Sequence, residues 1–371
     1  MAEDRELTRA EKRAAARAEK ARAQEEARAK KEEEKRAREE ARKARAEERK
    51  AKKGEEKPGE AEKADTAKKE KKAKPPKAGK GEKRIVTMSI EGNDLRLLYF
   101  SGKEIESWDS VAFAPNLLKV GQVSEPEGLS AVIKSALEGR DITRAQFLCS
   151  LPGLRSVSRV LTIPRTGKKE MADVVQREVN KLMTVSMEDN YLHWQPLTAE
   201  KSEQMEVFVL AVPKEPFDIF MEALRMAEIK PAAIDLKPLA LARAVNQRDA
   251  IIASGESNSM ELVIIVDDTP VLIRSVFLGE GIVTQDYAVG RISDELGRTI
   301  LTYNEINKDK PLDPEVPIYL CGGSAGGVPF ALNVAALTGR TVQPLEPPIP
   351  YPDDFPVADF MVNIGLLLKV L

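Results

Sequence analysis

Groups able to carry out covalent or metal chemistry are few in this chain. His193 is the single histidine, so no His-rich zinc or iron site can be built, and any Ser/His/Asp or Cys/His mechanism would have to run through it. It lies in Tyr-Leu-His-Trp-Gln-Pro, a strand-like stretch where an ordinary packed or half-exposed histidine is expected. Cys149 and Cys321 stand far apart and form no CxxC pair, which gives no disulfide or metal framework and fits a reducing compartment. The remaining candidates are three glycine-bearing segments: Met88-Ser89-Ile90-Glu91-Gly92, Ala253-Ser254-Gly255 and Gly322-Gly323-Ser324-Ala325. Glycine lets a backbone come close to a ligand or to another segment.

The elements that must hold these segments are unevenly spread along the 371 residues. Residues 1 to 84 carry 31 Lys and Arg against 21 Asp and Glu, leaving 27 against 39 in the rest, so a +10 tail precedes a −12 body. The tail has no Phe, Tyr, Trp, Ile, Val or Cys, and Leu7 is its only leucine. It cannot bury enough apolar surface to offset the entropy of forming a core. Residues 1–53 are rich in Ala, Glu, Arg and Lys with no Gly or Pro, and pairs such as Glu26 with Lys30 and Glu39 with Lys43 recur four apart. This pattern predicts a solvated single helix without an apolar seam. Gly54, Pro58 and Gly59 end it, and residues 54–84 form a flexible basic linker, with nine bases against Glu70 and Glu82 in residues 66–84. Such a stretch solubilises, or attaches the chain to an anionic membrane face at on the order of 1 kcal/mol per basic residue. Nucleic-acid binding is disfavoured, because no aromatic is interleaved to stack on bases. The start offers no apolar export segment, and the uncharged run from Val316 to Gly339 is interrupted by Pro317, Pro329 and five glycines. That run reads as strand, turn and helix rather than a membrane span.

Within the body, Ile85 opens three apolar runs separated by Glu-Gly-Asn-Asp and Ser-Gly-Lys-Glu, and Ile251 opens three more separated by Ser-Gly-Glu-Ser-Asn-Ser and Asp-Asp-Thr-Pro. Turn-rich breaks at hairpin spacing predict two three-stranded meanders, each followed later by amphipathic helices. A duplicated meander with a late strand, Gly-Gly turn and helix (Ile318 to Leu337) is the organisation of the actin, Hsp70 and sugar-kinase fold, an α/β class.

Over about residues 85–371 the body resembles the type IV pilus assembly protein PilM family, actin-like relatives of the division protein FtsA. The stretch that carries this is Ala211-Val-Pro-Lys, Phe217 to Met226, and Ala227-Glu-Ile-Lys-Pro-Ala-Ala-Ile-Asp-Leu-Lys-Pro-Leu-Ala-Leu-Ala-Arg-Ala-Val. Arg274 with Leu278-Gly279, the helix from Ile292 to Tyr303, Ile318-Tyr-Leu-Cys-Gly-Gly-Ser-Ala and Ile364-Gly-Leu-Leu-Leu follow in family order. The resemblance implies a first actin-like domain at 85–249, an inserted subdomain at about 143–212 beginning with the strand from Gln146, a second domain at 250–345, and a C-terminal segment, 346–371, that returns to the first. In the insert, Met171, Val174, Val175, Val179 and Leu182 share one helix face, expected as core contact. The resemblance also implies a groove between insert and first subdomain that receives the cytoplasmic N-terminal peptide of a PilN-like single-pass membrane protein.

In this fold the first turn of each meander clasps phosphate through backbone N–H groups, and two Asp residues position metal and water. Matching the meanders places Ser89 and Ala253 at the two Asp positions, so both carboxylates are missing and ATP hydrolysis is not expected. Glu91 lies two positions past the first site, inside the turn, while Asp267 and Asp268 fall in the far hairpin. Gly92, Gly255, Gly322, Gly323 and Ser324 are the residues left to approach a nucleotide, so the expected cofactor is none, or ATP bound without turnover, with no metal and no catalytic residue. The expected role is a cytoplasmic scaffold of a type IV pilus or related secretion machine, peripheral at the inner membrane face. The alternatives are a kinase or ATPase of the same fold and an FtsA-like polymerising protein.

Overall fold

A computed structural model describes residues 84–371 apart from 153–154, 168–169, 198–202, 280–284 and 324–326. The expected helix at 1–53 and linker at 54–84 lie outside the described residues, except Arg84, which opens the first strand. The first meander is β1 (Arg84–Glu91), β2 (Asp94–Ser101) and β3 (Glu104–Ala112), antiparallel throughout. A short hairpin, β4 (Leu118–Lys119) and β5 (Gln122–Val123), leads into helix α1 (Pro126–Leu137), whose Leu129 and Ile133 are buried. Strand β6 (Gln146–Leu151) then pairs parallel with β1.

The next segment forms a separate three-stranded antiparallel layer. Strand β7 (Val157–Pro164) and strand β8 (Asn190–Pro196) flank β9 (Gln204–Pro213), and helix α2 (Met171–Leu182) packs on it. Its core is its own: Leu161, Ile163, Val175, Val179, Val207 and Val209 are buried together. Two sequence expectations are corrected here. The strand from Gln146 is not the start of the insert, because it lies inside the first sheet between β1 and the later strand of residues 231–236. Leu182 is 41% exposed; the chain leaves helical geometry at Met183, and that side chain fills the end of the core instead.

After helix α3 (Lys214–Met226), strand β10 (Pro231–Leu236) returns to pair parallel with β6, and helix α4 (Lys237–Val245) follows at once. The second meander is β11 (Ala250–Gly255), β12 (Ser259–Val266) and β13 (Thr269–Phe277), succeeded by helix α5 (Gln285–Ile306), strand β14 (Ile318–Cys321), helix α6 (Gly327–Thr338), strand β15 (Val342–Gln343) and helix α7 (Val357–Leu367). The two five-stranded sheets share one order. The first runs β3-β2-β1-β6-β10 and the second β13-β12-β11-β14-β15, each an antiparallel meander continued by two parallel strands. This duplication is the actin-like fold that the sequence predicts. Within the run from Val316 to Gly339, Ile318–Cys321 is strand and Gly327–Thr338 is helix, and no helix among the described residues is long and apolar enough to cross a membrane.

Helices α4 and α7 lie in the core that joins the two sheets. That core gathers Ile85, Leu98 and Leu148 of the first sheet with Ile252, Val263 and Cys321 of the second, around Leu241, Phe360 and Ile364. The helices cross closely: a Cβ at Gly365 would collide with the carbonyl of Ala240.

Candidate functional site

The three glycine-bearing segments converge in the cleft between the meanders. A Cβ at Gly92 would strike Ser257 Oγ, and one at Gly322 would strike the carbonyl oxygen of Gly255 and come within 2.7 Å of Glu256 Oε1. Gly322 also has φ +90, a conformation that a side chain would strain. Gly92, Gly255, Gly322 and Gly323 are thus brought to one place, while Ser324 lies outside the described residues.

The cleft is lined by charge that is already paired. Arg96 of β2 grips Glu256, in the β11–β12 turn, with a two-pronged fork: Nη1 to Oε1 and Nη2 to Oε2, each 3.0 Å. Arg96 Nη1 also donates to the carbonyl of Asp359 at 2.7 Å, and Gly323 N–H donates to Glu256 Oε1 at 3.2 Å. Burial opposes the guanidinium charge, but Glu256 and Glu91 outweigh it and the Arg96 pKa is raised. Lys237 Nζ lies 2.5 Å from Glu91 Oε2, both side chains buried. Lys237 opens α4, where the helix dipole disfavours a cation. Burial would lower its pKa further, yet the carboxylates of Glu91, Glu256 and Glu261 hold it above the ordinary value. Burial is also the largest influence on Glu91 and raises its carboxyl, against the pull of Lys237.

Neither expected Asp position holds free chemistry. Ser89 is buried and its hydroxyl donates to Asn363 Oδ1 at 2.9 Å, while Asn363 Nδ2 donates to the carbonyls of Thr87 and Arg96, each at 3.2 Å. Ala253 is buried on β11. Asp267 and Asp268 occupy the β12–β13 turn with φ 50 and 62, and Asp267 accepts from Lys310 at 3.2 Å, remote from the clasp. His193 is exposed on β8, and both cysteines are buried free thiols.

No protein-family model and no curated protein sequence matches the chain. Among solved structures it is similar to the "PilM-PilN type IV pilus biogenesis complex", at 25% identity and TM-score 0.64, over 77% of this chain and 98% of that one. The resemblance to the PilM family is thereby shown. The share of this chain that is covered is about the length of the body, residues 84–371. Two more distant similarities are the ethanolamine utilization protein EutJ of Carboxydothermus hydrogenoformans (12% identity, TM-score 0.44, 78% of this chain and 90% of that) and the cytoplasmic domain of EpsL, an inner-membrane component of the type II secretion system of Vibrio cholerae (12%, 0.44, 77% and 95%).

Sequence reasoning found the converging glycines but missed Arg96, Lys237, Glu256 and Asn363. One signal was present: Arg96 interrupts Asp-Leu-Arg-Leu-Leu-Tyr-Phe, a run otherwise apolar after its first residue. A charge inside such a strand needs a buried partner.

Proposed function

We propose that this chain is a PilM-like, actin-like scaffold of a type IV pilus or related secretion machine that receives the cytoplasmic N-terminal peptide of a PilN-like single-pass membrane protein. The observation that carries the reading is the similarity over 98% of the chain from a PilM–PilN complex. The groove we assign to the peptide lies between the inserted layer, α4 of the first domain and the β12–β13 turn of the second, so one of its walls comes from the second domain and not, as the resemblance implies, from the insert and first subdomain alone. Leu197, Phe208, Leu239 and Ile265 give it apolar walls, and Arg243 and Asp268 stand at its polar edge. An extended peptide gains affinity there from anchor side chains in pockets. Titration of the full chain with synthetic N-terminal peptides of single-pass inner-membrane proteins tests this. Leu197→Arg and Asp268→Lys, both at exposed positions, should weaken saturable binding by about tenfold or more; affinity untouched by both would remove the groove from consideration.

The same reading makes the chain a binder rather than an ATPase. Ser89 and Ala253 cannot hold a metal or orient water as carboxylates do, and the cleft cations already face Glu256 and Glu91. Phosphate release from ATP should equal the buffer blank. Magnesium-dependent release that Glu91→Gln abolishes would overturn this. The resting place is the inner membrane face, reached through the partner and through the basic stretch 66–84.

A further inference from the structure

The two halves of the body meet through a buried ion pair as well as through apolar packing. Arg96 belongs to the first sheet and Glu256 to the second, 160 residues apart in sequence, and their side chains are 5% and 3% exposed. Through the Asp359 carbonyl and the Gly323 N–H, this pair ties together four segments: β2, the β11–β12 turn, the β14–α6 turn and the start of α7. The Lys237–Glu91 pair is a second buried charge pair of the same cleft and adds the start of α4 and the end of β1.

A buried ion pair gives little net stability over an apolar substitute, because desolvation consumes most of the Coulomb gain. What a bidentate fork provides is geometry, since two parallel bonds fix both separation and angle. The positions matter more than the energy. Arg96 Nη1 and Nη2, Lys237 Nζ and the Gly323 N–H are the kinds of donor that would hold an anionic ligand between the two turns, and all four face Glu256 or Glu91.

We propose that the Arg96–Glu256 fork is an internal clamp that holds the two clasp turns together in place of a bound nucleotide, so that the closed form is the resting form of the free protein. The surfaces the two halves present are then fixed without any small-molecule signal. This inference goes beyond the partner reading and does not depend on it.

Hydrogen–deuterium exchange on the full chain tests it, read from peptides covering residues 91–97 and 255–260. In the native protein both turns should exchange as slowly as the flanking strands, and magnesium-ATP should leave them unchanged. Arg96→Glu and Glu256→Gln should each speed exchange in both turns on the order of a hundredfold, because the partner is left buried and unpaired. The double exchange, Arg96→Glu with Glu256→Arg, should recover part of that loss; recovery is incomplete because the Gly323 N–H then faces a guanidinium. Fast exchange in the native turns, slowing by nucleotide, single variants that loosen only their own turn, or no recovery in the double variant would each overturn the clamp. Should a variant fail to fold, the native protein with and without nucleotide decides the matter alone.

Discussion

Ser89 shows how far a position can move from the chemistry its neighbours suggest. Its hydroxyl donates to Asn363 Oδ1, and Asn363 spends its amide on two backbone carbonyls, so the amide cannot turn round without losing both bonds. Ser89→Asp would place a buried carboxylate against an acceptor oxygen. We expect it to cost about 3 kcal/mol in urea unfolding and to restore no phosphate release; a neutral effect would show that the network tolerates charge. The two thiols make a second residue-scale prediction. Burial pushes Cys149 and Cys321 up to about 12, so neither should react with a thiol reagent at pH 8 until the protein unfolds. The unfolded thiols lose their protons from about pH 8.5, while the native ones keep theirs. The native state therefore binds more protons over that window, and stability falls as pH rises, by up to about 1.4 kcal/mol per pH unit for each thiol. Lys237 acts in the same direction: with its folded pKa raised, its contribution is complete below the ordinary lysine value near 10.4 and is lost above it. Unfolding midpoints at pH 7, 9 and 10 should decline in that order; a flat profile would contradict the burial.

At the scale of elements, the crossing of α4 and α7 is set by small residues. Gly365→Ala drives a methyl into the Ala240 carbonyl, so the helices must separate, at about 3 kcal/mol or more. Gly297→Ala on α5 meets nothing within 4 Å and should instead stabilise by roughly 0.5–1 kcal/mol through helix propensity. Thermal unfolding of the two variants side by side checks the contrast, and equal shifts would refute it. The meanders were legible because alternation and turn residues are local properties of a strand and its hairpin. The insert boundary was not: the apolar run from Gln146 to Leu151 reads alike whether it joins the first sheet or opens a new layer, and only its pairing with β1 and β10 decides. The cleft glycines were legible in the same local way, whereas the Arg96–Glu256 pair joins strand and turn 160 residues apart, a distance over which no sequence period speaks.

For the whole molecule the governing quantity is the split of charge, +10 before residue 85 and −12 after it. We expect the full chain to bind vesicles containing anionic lipid and a chain starting at Lys83 not to, since its acidic body is repelled. Binding should weaken as salt rises, because the Debye length is already roughly 8 Å at 0.15 M. Equal binding by both chains, or none by either at low salt, would reduce the basic stretch to a spacer.

The hydrogen bond between Ser89 and Asn363 spans 274 positions, and this bears on how the protein is made. The strand that opens the body emerges from the ribosome well before the helix that completes its core, which follows it at that separation, more than two thirds of the 371 residues. Until Val357–Leu367 is released, Ser89, Ile85 and Leu98 lack the partners that cover them. The nascent chain must therefore carry an unfinished apolar seam for as long as the residues between that strand and that helix are being made.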